Sequence, residues 1–133
     1  MAFAGAMVLA LPLPRAIAAQ LVAFEQPGCV YCQEFNHQIG TTYDQTEFGL
    51  IAPLRPVDID KPLPPDLAFI RVERMTPEFV LIDKGREIGR IRGYGGRTMF
   101  WTQLFALMQK LNQTTQPPGT SARLNEATAA VNG

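Results

Sequence analysis

The chain has 133 residues, 47% of them hydrophobic and 18% charged, with 12 basic side chains balanced by 12 acidic ones. That length supports one small domain with one core, and zero net charge leaves no basic excess for a phosphate-binding surface, so no nucleic-acid partner is expected. No apolar run reaches the ~18 residues of a membrane-spanning helix, and two cysteines with one histidine cannot complete a structural zinc site of four such ligands, so no metal is expected either.

The first eighteen residues carry the marks of an export signal. Ala4 to Leu13 is an uncharged apolar stretch of signal-peptide length, and Ala16-Ile17-Ala18 is an A-x-A cleavage box. Two details depart from the usual pattern: no Lys or Arg precedes the apolar stretch, and Arg15 follows it. Pro12 and Pro14 argue against a buried N-terminal helix continuing there. Cleavage would leave a periplasmic chain starting at Ala19 with a net charge of −1. The expected organisation is a leader over 1–18, a folded domain over 19–113 and a flexible, solvated tail over 114–133, where Thr, Gln, Pro, Gly, Ser and Ala offer little to bury.

Leu21 to Glu25 is apolar on both faces, so it predicts a buried central strand, ended by Pro27-Gly28. A helical pattern starts at Cys29, with Tyr31, Phe35 and Ile39 spaced to share one face and Glu34 placed early, where it suits the helix dipole. Arg55 to Asp60 predicts a second strand with Val57 and Ile59 on one side; Pro56 cannot donate to a ladder, so this strand belongs at a sheet edge. Pro62, Pro64 and Pro65 mark a loop, and Asp66 to Arg71 a short helix. Glu78 to Asp83 and Arg86 to Arg92 flank Lys84-Gly85 as a β-hairpin. Arg97 to Asn112 is an amphipathic helix whose stripe is Phe100, Leu104, Leu107, Met108 and Leu111, with Trp101 and Phe105 beside it as core aromatics. This order predicts an α/β domain: a mixed sheet with helices on both faces.

The chemistry rests on Cys29-Val30-Tyr31-Cys32, set between the buried strand and the opening of a helix. A cysteine at a helix N-terminus faces unpaired N–H groups that favour its thiolate, so Cys29 is the expected nucleophile. Cys32, one turn on, can attack the resulting mixed disulfide and release the substrate. A purely structural role is disfavoured because so short a loop constrains the unfolded chain least. A c-type haem site needs His after the second cysteine, where Gln33 stands. His37 lies roughly 12 Å along the axis from Cys29, too far to pair with its thiolate, and is an ordinary surface histidine. Thr76-Pro77 precedes the hairpin; taken alone, an X–Pro bond is expected trans.

These residues resemble the thioredoxin superfamily: a strand, C-x-x-C on a helix start, Thr76-Pro77 before a hairpin, Gly93 and a closing helix, over about Leu21 to Asn112. The resemblance implies a four-stranded thioredoxin-like sheet, a cis Pro77 against the cysteine pair, and a Thr76 backbone that pairs with an extended substrate segment. It implies a groove opened by Gly93 and lined by Val30, Tyr31, Met75 and Tyr94, and no cofactor beyond the redox-active Cys29–Cys32 disulfide. The chain departs from classical thioredoxin in its Val-Tyr dipeptide, in Ala23 at the place of the usual buried aspartate, and in a mature start that leaves no room for the first strand and helix. Glu25 then stands either as a route for proton transfer to Cys32 or as an exposed loop acid.

More narrowly, Phe24 to Cys29, Ala52 to Asp58, Thr76 to Leu81 and Gly89 to Tyr94 resemble the SoxS family, the periplasmic thioredoxins of bacterial sulfur-oxidation clusters. That implies a reductant of a SoxYZ-like sulfur-carrier cysteine, resupplied with electrons by a membrane thiol transporter; a monomer is the default for a domain this small. Two other functions fit the same residues: an oxidant or isomerase of secreted proteins, and a non-catalytic binding module whose cysteines merely lock a loop.

Overall fold

The computed structural model describes residues 19–116. The leader expected over 1–18 and the tail from residue 117 onward lie outside the described residues. Four strands form one mixed sheet in the order β2-β1-β3-β4. β1 (Ala19–Glu25) runs parallel to β2 (Leu54–Asp58) and antiparallel to β3 (Glu78–Asp83), and β3 pairs antiparallel with β4 (Arg86–Arg92). β2 is an edge strand, as Pro56 required; it ends two residues earlier than its apolar pattern suggested, although Ile59 still packs beside Val57. The hairpin turns on Lys84 and Gly85, both at positive φ, with a register shift between Leu81 and Ile82.

β1 and β3 are apolar on both faces because each face has its own cover. On one face Leu21, Ala23, Phe79, Leu81 and Ile91 pack against Phe35, Ile39, Tyr43 and the stripe of α3 (Arg97–Thr115). On the other, Val22, Phe24, Val57, Val80 and Ile82 pack against Leu67 and Ile70. Cover on this second face is mostly irregular chain: the helix expected over Asp66 to Arg71 is a single 3-10 turn at Pro65–Leu67. Pro64 and Pro65 open that turn, where a missing N–H is tolerated, and the chain leaves helical geometry within a few residues.

Two helices differ from their sequence pattern. α1 (Val30–Phe35) is followed by a π-helical turn at Asn36–Gly40 instead of continuing as one α-helix. Phe35 and Ile39 are buried, whereas Tyr31, in the first turn, is exposed. Glu34 lies outside that first turn and accepts a bond from the Gln38 side chain. α3 runs to Thr115, past the expected boundary, with the hydroxyls of Thr114 and Thr115 bonded to the Leu111 carbonyl. Trp101 stacks on Tyr43 as a core aromatic should, but Phe105 is 54% exposed. A short helix, α2 (Glu47–Ile51), has no counterpart in the sequence pattern; Thr46 caps it through Gly49 N–H.

Candidate active site

β1 delivers the chain to the site. After Glu25 the chain turns through Gly28, and Cys29 takes the N-cap position of α1 in extended conformation. The two cysteines are joined as a disulfide with 5.2 Å between their Cα atoms. Cys29 Sγ accepts a hydrogen bond from Cys32 N–H at 3.1 Å, the bond a capping side chain makes at a helix start. The same donor would stabilise a Cys29 thiolate once the disulfide is reduced. Exposure divides the pair: Cys29 is partly open to solvent, and Cys32 is 97% buried, at 3% exposure. An incoming protein disulfide therefore meets Cys29 first.

The helix is seated by one ring. Phe35 is fully buried, with its centroid 4.5 Å from Phe79, 5.1 Å from Phe100 and 5.6 Å from Tyr94. Its contacts with β3, α3 and the end of β4 fix where the first turn and its sulfurs stand.

Val30, Tyr31 and Met75 are exposed apolar side chains, as a docking surface requires. The Thr76–Pro77 bond is cis, against the expectation from the dipeptide alone and as the family resemblance implied. Thr76 is tied to the cysteine loop by its hydroxyl, which bonds Gln26 Oε1 at 3.3 Å. Among the described residues no hydrogen bond engages the Thr76 peptide groups, so they remain available to an extended segment. Gly93 N–H donates to the Pro77 carbonyl at 2.8 Å, and a Cβ at Gly93 would enter open space. Tyr94 is placed differently from the groove position expected of it. Its ring belongs to the core beside Phe35 and its hydroxyl donates to Gln38 Oε1 at 2.7 Å. His37 is exposed, as an ordinary surface histidine should be.

Behind the disulfide lies a cleft of about 690 Å³ that borders both cysteines and Glu25. Burial raises the Glu25 pKa, while the Asn36 amide, donating to Oε1 at 3.1 Å, pulls it back down. Of the two placements open to it, Glu25 takes the half-buried one beside the cysteines. Gln26 and the β2 residues Arg55 and Asp58 also border this cleft; they lie in the segments Phe24 to Cys29 and Ala52 to Asp58 that carry the narrower family resemblance, whereas Asn36, which borders it too, had no signal in the sequence. The parallel register that pairs Glu25 with Asp58 brings the β2 residues to this cleft.

The thioredoxin-like domain family matches residues 16–107, spanning the sheet, the cysteine pair and most of α3. The chain belongs to that family. It is a thiol–disulfide oxidoreductase, with Cys29 and Cys32 as its reacting groups. It is similar to the periplasmic thioredoxin SoxS from Paracoccus pantotrophus, in its reduced form, at 39% identity and a TM-score of 0.66, covering 70% of this chain and 98% of that one. A thioredoxin from Thermus thermophilus, 24% identical, has a TM-score of 0.51 over 68% of this chain and 74% of its own. A thioredoxin-fold protein from Helicobacter pylori, 22% identical, has the same TM-score over 83% and 81%. These last two show the fold alone. A search of curated protein sequences gave no match.

Proposed function

We propose that this oxidoreductase is a periplasmic reductant of a partner-protein cysteine, a SoxYZ-like sulfur carrier, recharged by a membrane thiol transporter. The 39% identity to a periplasmic thioredoxin, across nearly the whole of that protein, supports the compartment and the reducing direction. The observation that carries the mechanism is the division of labour between a solvent-facing Cys29 at the helix cap and a buried Cys32.

The Cys29 thiolate attacks the partner's disulfide sulfur, forming a mixed disulfide and expelling one partner thiolate, which takes a proton from solvent. Cys32 then loses its proton to Glu25 across the shared cleft. Its thiolate attacks Cys29 Sγ, which breaks the mixed disulfide and expels the second partner thiolate. Two electrons have passed from the dithiol to the partner, and the Cys29–Cys32 disulfide remains; no cofactor is required. During the first attack the partner's extended segment pairs with the Thr76 peptide groups, while Val30, Tyr31 and Met75 contact its apolar side chains.

The test is a Cys32→Ser variant expressed in its own cells, where a mixed disulfide through Cys29 should accumulate and mass spectrometry should identify a sulfur-carrier protein. Equal trapping by a Cys29→Ser variant would show the assigned roles to be wrong. Equilibration with glutathione checks direction: a potential near the ~−270 mV of thioredoxin fits a reductant, whereas one near ~−120 mV makes the protein an oxidant.

A further inference from the structure

Five charged side chains lie beside the segment that leads into Pro77, and none of them touches the disulfide. Glu78 follows Pro77 directly and is fully buried within a strand whose next four residues are Phe79, Val80, Leu81 and Ile82. Its carboxylate accepts from Arg90 Nη1 at 2.8 Å and from the Glu73 backbone N–H at 3.4 Å. The same Arg90 nitrogen donates to the Arg71 carbonyl at 3.2 Å, and the guanidinium is held from its far side by Glu87. Arg92 then grips both oxygens of Glu73, at 2.7 and 2.8 Å.

The segment is thus fastened at residues 71 and 73, and again where Gly93 N–H meets the Pro77 carbonyl. Between these fastenings lie Arg74, Met75 and Thr76, with Thr76 tied further to Gln26 by its hydroxyl; they carry the exposed Met75 side chain and the unengaged Thr76 peptide groups. A buried carboxylate paired with arginine contributes little net stability, and an apolar side chain would satisfy β3 at this position. What the ion network adds is a fixed place for a loop that has no ladder of its own.

We propose that Glu78 and Arg90 are positioning residues: through Arg71 and Glu73 they hold the Met75–Thr76 edge beside the cysteine loop, which the Thr76 hydroxyl reaches at Gln26, so that a protein segment docks in register for attack. This rests on the reading of Thr76 as the docking edge. Small disulfides need no such edge and are indifferent to the network.

The test compares the full chain with its Glu78→Gln and Glu73→Gln variants on two substrates: insulin, a protein disulfide, and a small aromatic disulfide that releases a coloured thiol. Each variant should raise KM for insulin about tenfold, since small misplacements are costly in an oriented attack. Their rate constants on the aromatic disulfide should stay within about twofold of the parent's. Glu73 is partly exposed, so its variant serves even where Glu78→Gln fails to fold. An unchanged insulin KM in a folded variant overturns the proposal, as does an equal loss on both substrates. If the parent chain reduces neither substrate, the reductant reading fails first and takes this one with it.

Discussion

Replacing Gly93 by alanine separates stability from docking in one residue. Gly93 has φ of 77°, where a Cβ costs about 1–2 kcal/mol. The added methyl meets no atom within 4 Å, so backbone strain is the whole of the expected penalty and no packing loss accompanies it. For a domain of about this size each kcal/mol lowers Tm by about 4–8 °C, which predicts a fall of about 5–15 °C. The fold survives that loss, because domains typically hold about 5–15 kcal/mol in reserve. The Gly93 N–H keeps its bond to the Pro77 carbonyl, so the cis-proline edge stays in place. In the proposed docking mode, the space the methyl occupies is space an extended partner segment needs. Insulin reduction should therefore lose about tenfold in kcat/KM, with the loss in KM, and reduction of a small aromatic disulfide should change less. The measurements are a thermal melt by circular dichroism and steady-state kinetics on both substrates. A variant that melts in the expected range yet keeps its parent's insulin KM would refute the placement of the groove; an unaltered Tm would refute the strain argument.

Phe35→Ala removes the ring that seats α1 and should cost about 3–5 kcal/mol, leaving the chain close to unfolding at ambient temperature and readily seen in a urea melt. Glu25→Gln tests both stability and proton transfer. Burial raises the folded-state pKa of Glu25 above its ordinary 4.5, so the folded chain holds this proton more tightly than the unfolded chain does. The protonated carboxyl favours folding fully below pH 4.5, and that contribution disappears as pH rises through the raised value. The glutamine variant, which mimics the protonated form, should thus match the parent in acid and be the more stable of the two at neutral pH. With its proton acceptor gone, it should release trapped partner more slowly at neutral pH while Cys29 alkylates at the parent's rate. Identical melting curves at both pH values would show that Glu25 is not desolvated.

What the chain declares by itself is periodic or local. The β1 apolar run, the hairpin around Lys84-Gly85, the edge placement demanded by Pro56 and the stripe of α3 are each enforced by neighbours within a few residues, so pattern suffices to find them. Cys29 and Cys32 are equally legible, since one helical turn brings them together wherever the helix lies. Packing decided the rest. Tyr31 faces solvent, while Tyr94, two residues past β4, is buried against Phe35 and Phe100, partners from distant parts of the chain. α2 is five residues long, too short for a period to register. The cis state of Pro77 and the cleft that joins Glu25 to Cys32 depend on chain brought in from elsewhere, as does the arginine network around Glu78. Sequence spacing carries no record of such approaches, because burial and charge pairing between distant segments exist only once the sheet has set its strand order.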